Sequence, residues 1–176
     1  MREMHCERLT TADDPDYPLY MKLYNASFPF HEQREPDSQE KIMRRPEYRF
    51  DRLYDGPEFI GLVLNWESEL FIYVEHLCIL PAKRGLGYGQ RALRLLSERG
   101  KQVILEIDPP VDDISIRRRK FYEHAGFRAN SYAHVHPPYH TGYDGHELVV
   151  MSFPRELTPE EYESFFQFLC ETVMRE

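Results

Sequence analysis

A glycine-rich loop between a predicted strand and a predicted helix constrains this chain more than any other feature. It lies within residues 77–90, which read LCILPAKRGLGYGQ. Glycines allow the backbone to approach a ligand closely and to turn several N–H groups into one hollow, and the N-terminus of the following helix favours anionic oxygens. The loop therefore predicts a site for a phosphate or pyrophosphate group.

Two common nucleotide-binding loops fit this stretch poorly. A P-loop ends in Gly-Lys-Ser/Thr, whereas this loop ends in Gly89-Gln90-Arg91. A dinucleotide fingerprint needs glycine or alanine where Gln90 stands, although Glu106 lies at about the distance expected of a ribose-binding acid. A whole meander precedes the loop, and too little chain follows it for a doubly wound sheet. Dinucleotide binding stays a distant alternative.

Hydrophobic periodicity predicts an antiparallel meander in the first half of the chain. Strand patterns cover residues 4–9, 48–54, 59–66 and 71–79, with a hairpin turn at Asp55-Gly56-Pro57. Helical spacing covers residues 16–26 and ends at Phe28-Pro29. A polar loop follows over residues 30–36. A capping box at residues 37–40 then predicts a second short helix that Pro46 ends.

The second half predicts alternating helices and strands. A helix runs from the glycine loop to Gly100, a strand covers residues 102–107, and a helix covers 114–125 with Gly126 as its C-cap. This alternation implies a crossover and a parallel pair of strands. Residues 130–135 and 147–153 are the last predicted strands. A capping box at residues 158–161 predicts a C-terminal helix to about residue 175.

These elements indicate an α/β fold with a mixed central sheet, in which an antiparallel N-terminal meander and a parallel pair are flanked by helices. We expect one domain over residues 1–176, because the chain has neither a linker nor an internal repeat. The C-terminal helix carries an apolar face that is predicted to be core or a homodimer contact, formed by Phe165, Phe166 and Leu169.

Charge and cysteine usage narrow the classes of partner. Lys and Arg number 22 against 30 Asp and Glu, and the net charge of −8 argues against nucleic acid and suits a cationic small substrate. Cys6, Cys78 and Cys170 form no C-x-x-C pair, which indicates a reducing compartment. No apolar run is long enough for a signal peptide or a membrane span. We therefore expect a cytoplasmic protein without a membrane partner.

Two motifs resemble those of the GNAT family of N-acetyltransferases. Arg84-x-x-Gly87-x-Gly89, after a strand that ends in Leu80-Pro81, is similar to that family's acetyl-CoA signature. Residues 121–127, FYEHAGF, look like its helix ending in F/L-Y-x-x-x-G-F. The motifs occur in the family's order with a strand between them, and the resemblance covers roughly residues 59–153. It implies acetyl-CoA as the cosubstrate.

The resemblance also implies which residues bind acetyl-CoA, within a core of about residues 71–127. Backbone groups of Leu77 and Ile79 would pair with the pantetheine arm like an added strand. Arg84 would lie near the pyrophosphate. The amides that would hold the pyrophosphate belong to Gly85, Leu86, Gly87, Tyr88, Gly89 and Gln90. The family often has Asn seven residues before the tyrosine of the second motif; Ser115 stands there, so that contact is shorter or lost.

Acyl transfer to an amine needs a neutral amine, a polarised carbonyl and a proton for the leaving sulfur. The resemblance assigns the proton donor to Tyr122, for which a half-buried core tyrosine is the alternative. Glu75 and Glu106, on neighbouring strands, are the candidate bases, and each is equally compatible with a solvated or paired carboxylate. No His clearly activates Cys78, so we expect direct attack in a ternary complex.

Two loops are predicted to bind the acceptor. The loop after the first helix supplies Phe28, with Glu32 for an amine and Arg34 for a carboxylate; an exposed loop charge is the alternative for Arg34. Tyr139 belongs to a stiff aromatic wall over residues 135–140. No metal is expected, because the nearby histidines complete no ligand pattern: His134, His136, His140 and His146.

The sequence thus predicts transfer of an acetyl group from acetyl-CoA to a primary amine of a small molecule. Two alternatives stay open. One is acetylation of a protein lysine or N-terminus, which a wide acidic groove would favour over a closed pocket. The other is a non-catalytic acyl-CoA-binding regulatory module, which would keep the glycine loop but tolerate loss of Tyr122.

Overall fold

The first four strands form the predicted antiparallel meander. The structure, a computed structural model that describes residues 2–175, pairs them in chain order as β1 (Met4–Leu9), β2 (Tyr48–Asp55), β3 (Glu58–Glu67) and β4 (Phe71–Ile79). Successive side chains of β3 enter opposite cores, because residues along a strand alternate between its faces. Leu62 and Leu64 lie in one core and Val63 in the other, so both faces of the sheet are covered.

The predicted parallel pair is confirmed, and it opens along its length. β5 (Gln102–Ile107) pairs with β4 only from Phe71 and Gln102 to Tyr73 and Ile104. Beyond that point β4 continues to Ile79 and β5 continues to Ile107 without pairing to each other. The two strands therefore diverge and leave a gap at the centre of the sheet.

The last strands differ from the prediction. They are β6 (Arg128–Ala129), β7 (Val135–His136), β8 (His146–Glu147) and β9 (Val149–Phe153). β9 joins the main sheet between β5 and β6, while β7 and β8 form a separate two-stranded sheet. The single strand predicted over residues 130–135 is wrong. The Asn130 side chain donates to the Val150 carbonyl and accepts from the Leu157 amide, and these contacts replace a continued ladder.

In the described part of the chain, residues 2–175, five α-helices flank the sheet: α1 (Tyr17–Ser27), α2 (Pro36–Ile42), α3 (Tyr88–Ser97), α4 (Asp113–His124) and α5 (Pro159–Phe168), the last continuing as a π-helical turn, Leu169–Val173. The capping box predicted at Thr158 is present, with Glu161 as its partner. Phe165 and Leu169 are wholly buried, whereas Phe166 is 36% exposed. Most of the apolar face of α5 therefore belongs to the core.

The predicted start of α2 is wrong. The helix begins at Pro36, one residue before the predicted cap, and its N-cap residue Glu35 makes no side-chain cap. Proline suits a first helical position because its fixed φ is helical and its missing N–H would have no partner there. Gln39, predicted within the capping box, is buried and donates to the Tyr48 hydroxyl at 2.9 Å.

The two cores divide the helices between them. Residues of α1, α2 and α5 pack with Trp66 on one face, whereas α3 packs its Ala92, Leu93 and Leu96 on the other. Within residues 2–175, no helix is both long and apolar enough to cross a membrane.

Candidate active site

A cavity of about 800 Å³ opens where β4 and β5 diverge. Its lining brings together most of the residues that the sequence predicted for cofactor binding, catalysis and acceptor binding: Glu75, Leu77, Ile79, Arg84, Gly89, Glu106, Tyr122, Phe28, Glu32 and Tyr139. The other predicted positions of the glycine loop, residues 85–88 and 90, are neighbours in the sequence of the lining residues Arg84 and Gly89. Arg34 and Ser115 are absent from its lining.

The glycine loop forms an open N-terminus for α3. Gly87 is the N-cap with φ +83°, a left-handed conformation that favours glycine, and no side chain caps the helix. The first-turn amides, which have no partner within their own helix, are thus left for an anion. Tyr88 differs from its neighbours in that its side chain turns away and donates to Asp55 at 2.7 Å. This arrangement fits a pyrophosphate group.

The edge of β4 next to the gap fits the pantetheine arm. The Cys78 carbonyl lies so close to Gly61 of β3 that a Cβ at position 61 would collide with it. Successive carbonyls along a strand point to opposite sides. The carbonyls of Leu77 and Ile79 therefore point toward the open edge, where Arg84 Nε donates to the Ile79 oxygen at 3.2 Å.

Tyr122 has a hydroxyl group that no other described residue binds. The residue lies near the end of α4, lines the cavity and contacts the rings of Phe121 and Phe127. Among residues 2–175 its hydroxyl makes no hydrogen bond to another group. Burial raises the pKa of Tyr122, so the phenol is protonated at neutral pH. A ligand in the cavity can receive that proton.

Glu75 is a buried, fully engaged anion. It accepts hydrogen bonds from Arg34 Nη2 at 2.7 Å, the Tyr139 hydroxyl at 2.7 Å and Trp66 Nε1 at 2.9 Å. Burial alone would raise the pKa of Glu75, but the Arg34 charge and these hydrogen bonds outweigh it and lower the pKa to about 2. Its role as the base stays a prediction, and these contacts make it a weak proton acceptor.

Glu106 is held in a second buried cluster. His134 Nε2 donates to its Oε2 at 2.5 Å, and the Tyr73 hydroxyl donates to its Oε1. Burial alone would raise the pKa of Glu106, but the nearby His136 and His134 outweigh it and lower the pKa. Glu106 is therefore an anion in the cavity wall that suits an ammonium group better than it suits proton abstraction.

Two predicted site residues have structural partners instead. Arg34 is buried, and besides Glu75 it donates to the Ser38 hydroxyl and the Val173 carbonyl, so the expectation of a loop charge facing solvent is wrong. Ser115 forms the capping box of α4 with Asp112 and is also buried. These contacts do not favour ligand binding by either side chain.

The acceptor loops meet over the cavity. His140 stacks on Phe30 with ring centroids 4.0 Å apart, donates from Nε2 to the Phe30 carbonyl at 2.8 Å and pairs through Nδ1 with Glu35. We call these three residues the His140 clasp. Glu32 lies in the cavity wall, where burial and the nearby Asp108 raise the pKa of its carboxyl. The clasp therefore fastens the loop after α1 to the loop between β7 and β8.

Three histidines line this cavity: His76, His136 and His146. Sequence reasoning did not consider His76, and it weighed the other two side chains only as metal ligands. Within residues 2–175, no group of three or more His, Cys, Asp or Glu side chains is arranged to hold a metal ion. Their positions depend on pairing between distant loops, which residue spacing does not reveal.

The chain is similar to a known protein family and to a curated protein. The family model described as "Acetyltransferase (GNAT) family" matches residues 6–127. The curated protein "Putative acetyltransferase YjbC" of Bacillus subtilis is 26% identical over 111 residues, which are 62% of this chain and 56% of that protein. The chain thus spans little more than half the length of this curated relative.

Solved structures share the whole fold. One, described as "Putative acetyltransferase from GNAT family from Bacteroides thetaiotaomicron", matches with a TM-score of 0.89 and 28% identity, over 98% of this chain and 99% of that chain. Arabidopsis thaliana Naa50 in complex with the bisubstrate analogue CoA-Ac-MVNAL matches with a TM-score of 0.60 and 14% identity, over 88% and 99% of the two chains. The second likeness shows the fold alone.

Proposed function

This chain belongs to the acetyltransferase (GNAT) family, and from that premise we propose that it transfers an acetyl group from acetyl-CoA to a primary amine of a small molecule. One observation carries the proposal. A single cavity joins the diverging edge of β4, the loop before α3 and the unused hydroxyl of Tyr122, so it offers binding groups and a proton donor together.

The chain holds acetyl-CoA through backbone groups more than side chains. The open edge at Leu77 and Ile79 binds the pantetheine arm, and the amides of residues 85–90 bind the pyrophosphate beside Arg84. When bound, acetyl-CoA supplies an activated acetyl group on a thioester. Ser115 was predicted to make a further contact, but its hydroxyl already serves the cap of α4.

Tyr122 protonates the departing sulfur. Its hydroxyl lies in the cavity wall, and its raised pKa keeps the proton on the oxygen until a thiolate forms nearby. Burial raises the pKa of the Cys78 thiol to about 11, so this cysteine stays protonated and does not carry the acetyl group. The amine therefore attacks directly, within a ternary complex.

The His140 clasp supports a small acceptor. It joins the loop after α1 to the loop between β7 and β8, and Phe28, Glu32 and Tyr139 line the space beneath. A protein lysine or N-terminus needs an open groove, and acceptor loops that are fastened to each other favour a smaller acceptor. Acetylation of a polypeptide, as the bisubstrate complex of Arabidopsis Naa50 illustrates, is the alternative that a test has to include.

Calorimetric titration with acetyl-CoA, CoA and NAD tests the binding half of the proposal. We expect micromolar affinity for acetyl-CoA and no binding of NAD. Binding of NAD alone would revive the dinucleotide alternative with Glu106 as the ribose ligand. Failure to bind either CoA species would end the transferase proposal.

Release of free thiol from acetyl-CoA, measured across a panel of small amines and peptides, tests the catalytic half. We expect turnover with small primary amines and little with peptides. Turnover with peptides alone would favour the polypeptide alternative. Binding of acetyl-CoA without thiol release from any acceptor would favour the regulatory module.

A further inference from the structure

His136 has a buried ring nitrogen without a partner. The residue lies in β7, is 2% exposed and lines the cavity. Its Nδ1 lies 2.6 Å from the Pro137 carbonyl oxygen, which only accepts, so Nδ1 carries the hydrogen and donates it there. In the neutral ring Nε2 therefore holds the lone pair. Among residues 2–175, this atom has no hydrogen-bond partner.

An unpaired buried acceptor in a cavity wall indicates a donor that arrives with a ligand, because buried polar groups are nearly always hydrogen-bonded. Glu106 Oε1 lies 4.0 Å from His136 Nε2, too far for a hydrogen bond between them. Both atoms are acceptors. An amine of a ligand in the cavity would satisfy both atoms by donating one N–H to each.

We propose that His136 is the general base of acetyl transfer and that Glu106 is the positioning residue that holds the amine beside it. This inference rests on the proposed function. The acceptor ammonium first loses one proton to solvent. The amine nitrogen then bonds to the acetyl carbonyl carbon as the C–S bond breaks. The nitrogen sheds one proton to His136 Nε2, the sulfur takes one from Tyr122, and both side chains return to their starting states by exchange with solvent.

The other basic groups of the cavity suit this task less well. Glu75 has its oxygens occupied by Arg34 and two further donors. His76 donates from Nε2 to the Glu32 carbonyl at 2.8 Å, and its Nδ1 is also unpaired among residues 2–175. The anion near His76 is Glu75, which is already paired with Arg34, whereas Glu106 lies 4.0 Å from His136 Nε2 and has no arginine or lysine partner among residues 2–175.

Titratable groups face His136 from each element around it. Glu106 faces it from β5, His76 from β4, His146 from β8, and Glu32 and Tyr139 from the two acceptor loops. A general base acts only in its unprotonated form, so this assignment predicts a rate that falls on the acid side.

The test compares three purified proteins: wild type, His136→Gln and the control His5→Gln, whose exposed histidine lies outside the cavity. We expect His136→Gln to lower kcat/KM for the amine by about 10²–10⁴-fold, the usual contribution of a general base, and to abolish the acid limb of the pH–rate profile. Calorimetric affinity for acetyl-CoA should stay unchanged. The control should match wild type in each measurement.

Two further measurements separate a base from a structural histidine. Nitrogen NMR of the wild-type imidazole should show hydrogen on Nδ1 and none on Nε2 at alkaline pH. Added imidazole should restore turnover to His136→Ala but not change the wild type. Retention of the acid limb in His136→Gln, an Nε2–H tautomer, or no rescue of a folded His136→Ala would overturn the assignment. If wild type itself releases no thiol, the proposed function fails instead.

Discussion

Arg34 and Glu75 form an ion pair with a nitrogen–oxygen distance of 2.7 Å, although they are 41 positions apart in the sequence. Their side chains are only 4% and 1% exposed. The pair ties the loop after α1 to the centre of β4, and the Arg34 guanidinium also lies 5.6 Å from the centre of the Tyr139 ring. The two charges thus hold both acceptor loops against the sheet.

Removal of one member of this pair should be strongly destabilising. Glu75→Gln leaves the Arg34 charge buried without its anion, and we expect a loss of about 3–5 kcal/mol in the free energy of unfolding. The exposed pair Arg119 and Glu123 offers a control, where Glu123→Gln should change stability by less than about 1 kcal/mol. Urea denaturation measures both. Equal effects of the two substitutions would contradict the buried-pair interpretation.

Acid should remove the contribution of the Arg34–Glu75 ion pair to stability. The folded pKa of Glu75, about 2, lies below its ordinary value of about 4.3, so the pair stabilises the fold above that value and loses its effect as pH falls toward 2. The stability difference between wild type and Glu75→Gln should therefore shrink across that interval. A difference that stays constant would show that the two charges are not coupled to folding.

Substitutions at two glycines can distinguish a loss of cofactor binding from the effect of backbone strain, because the two share a backbone conformation and only one lies in the loop before α3. Gly87 has φ +83° and Gly100 has φ +79°, and a Cβ at either position would meet nothing within 4 Å. Alanine at each should therefore cost a similar amount, about 1–2 kcal/mol. We expect only Gly87→Ala to weaken acetyl-CoA binding in calorimetry, because it alters the loop before α3. A loss of affinity in Gly100→Ala would point to a general effect of strain.

Tyr122→Phe should lower kcat by about 10²–10⁴-fold and leave the affinity for acetyl-CoA nearly unchanged, since it removes only the proton donor. Tyr54→Phe is the matched control, because Tyr54 lies on β2 outside the cavity. Stopped thiol-release assays with a saturating amine measure both. Full turnover in Tyr122→Phe would remove the assignment of the acid while leaving the fold untouched.

The His140 clasp should loosen as pH rises. Burial alone would lower the pKa of His140, but its hydrogen bonds to Glu35 and the Phe30 carbonyl outweigh burial and raise it. The contribution of the clasp is therefore complete below about 6.5, the ordinary value, and is lost as pH rises through the higher folded pKa. Amide exchange over residues 30–35 should quicken with pH in wild type, beyond the intrinsic rate increase. In His140→Ala it should be fast throughout, and bulkier amines should become acceptors.

Cys78→Ala should retain turnover, and double-reciprocal plots should intersect for both the variant and wild type, as direct transfer in a ternary complex requires. The raised pKa of this buried thiol leaves little thiolate to attack a thioester. Parallel plots together with an inactive Cys78→Ala variant would instead establish a cysteine acyl-enzyme.

Most of the fold followed from local patterns. β1, β4 and β5 have the predicted bounds, because their apolar residues and flanking turns form patterns that can be recognised within a few residues of sequence. The strand predicted at residues 130–135 failed because the Asn130 side chain bonds to Val150 and Leu157, and no short-range pattern contains those contacts.

By itself the sequence determined the features that depend on neighbouring residues: the loop around Gly87, the helix that carries Tyr122, and the parallel pair of strands. Tertiary structure alone decided which charged and titratable groups are free to react. It buried Arg34 against Glu75 and left His136 Nε2 unpaired in the cavity wall. The reason is physical: a pKa and a hydrogen-bond partner depend on burial and on contacts between distant segments, and residue spacing describes neither.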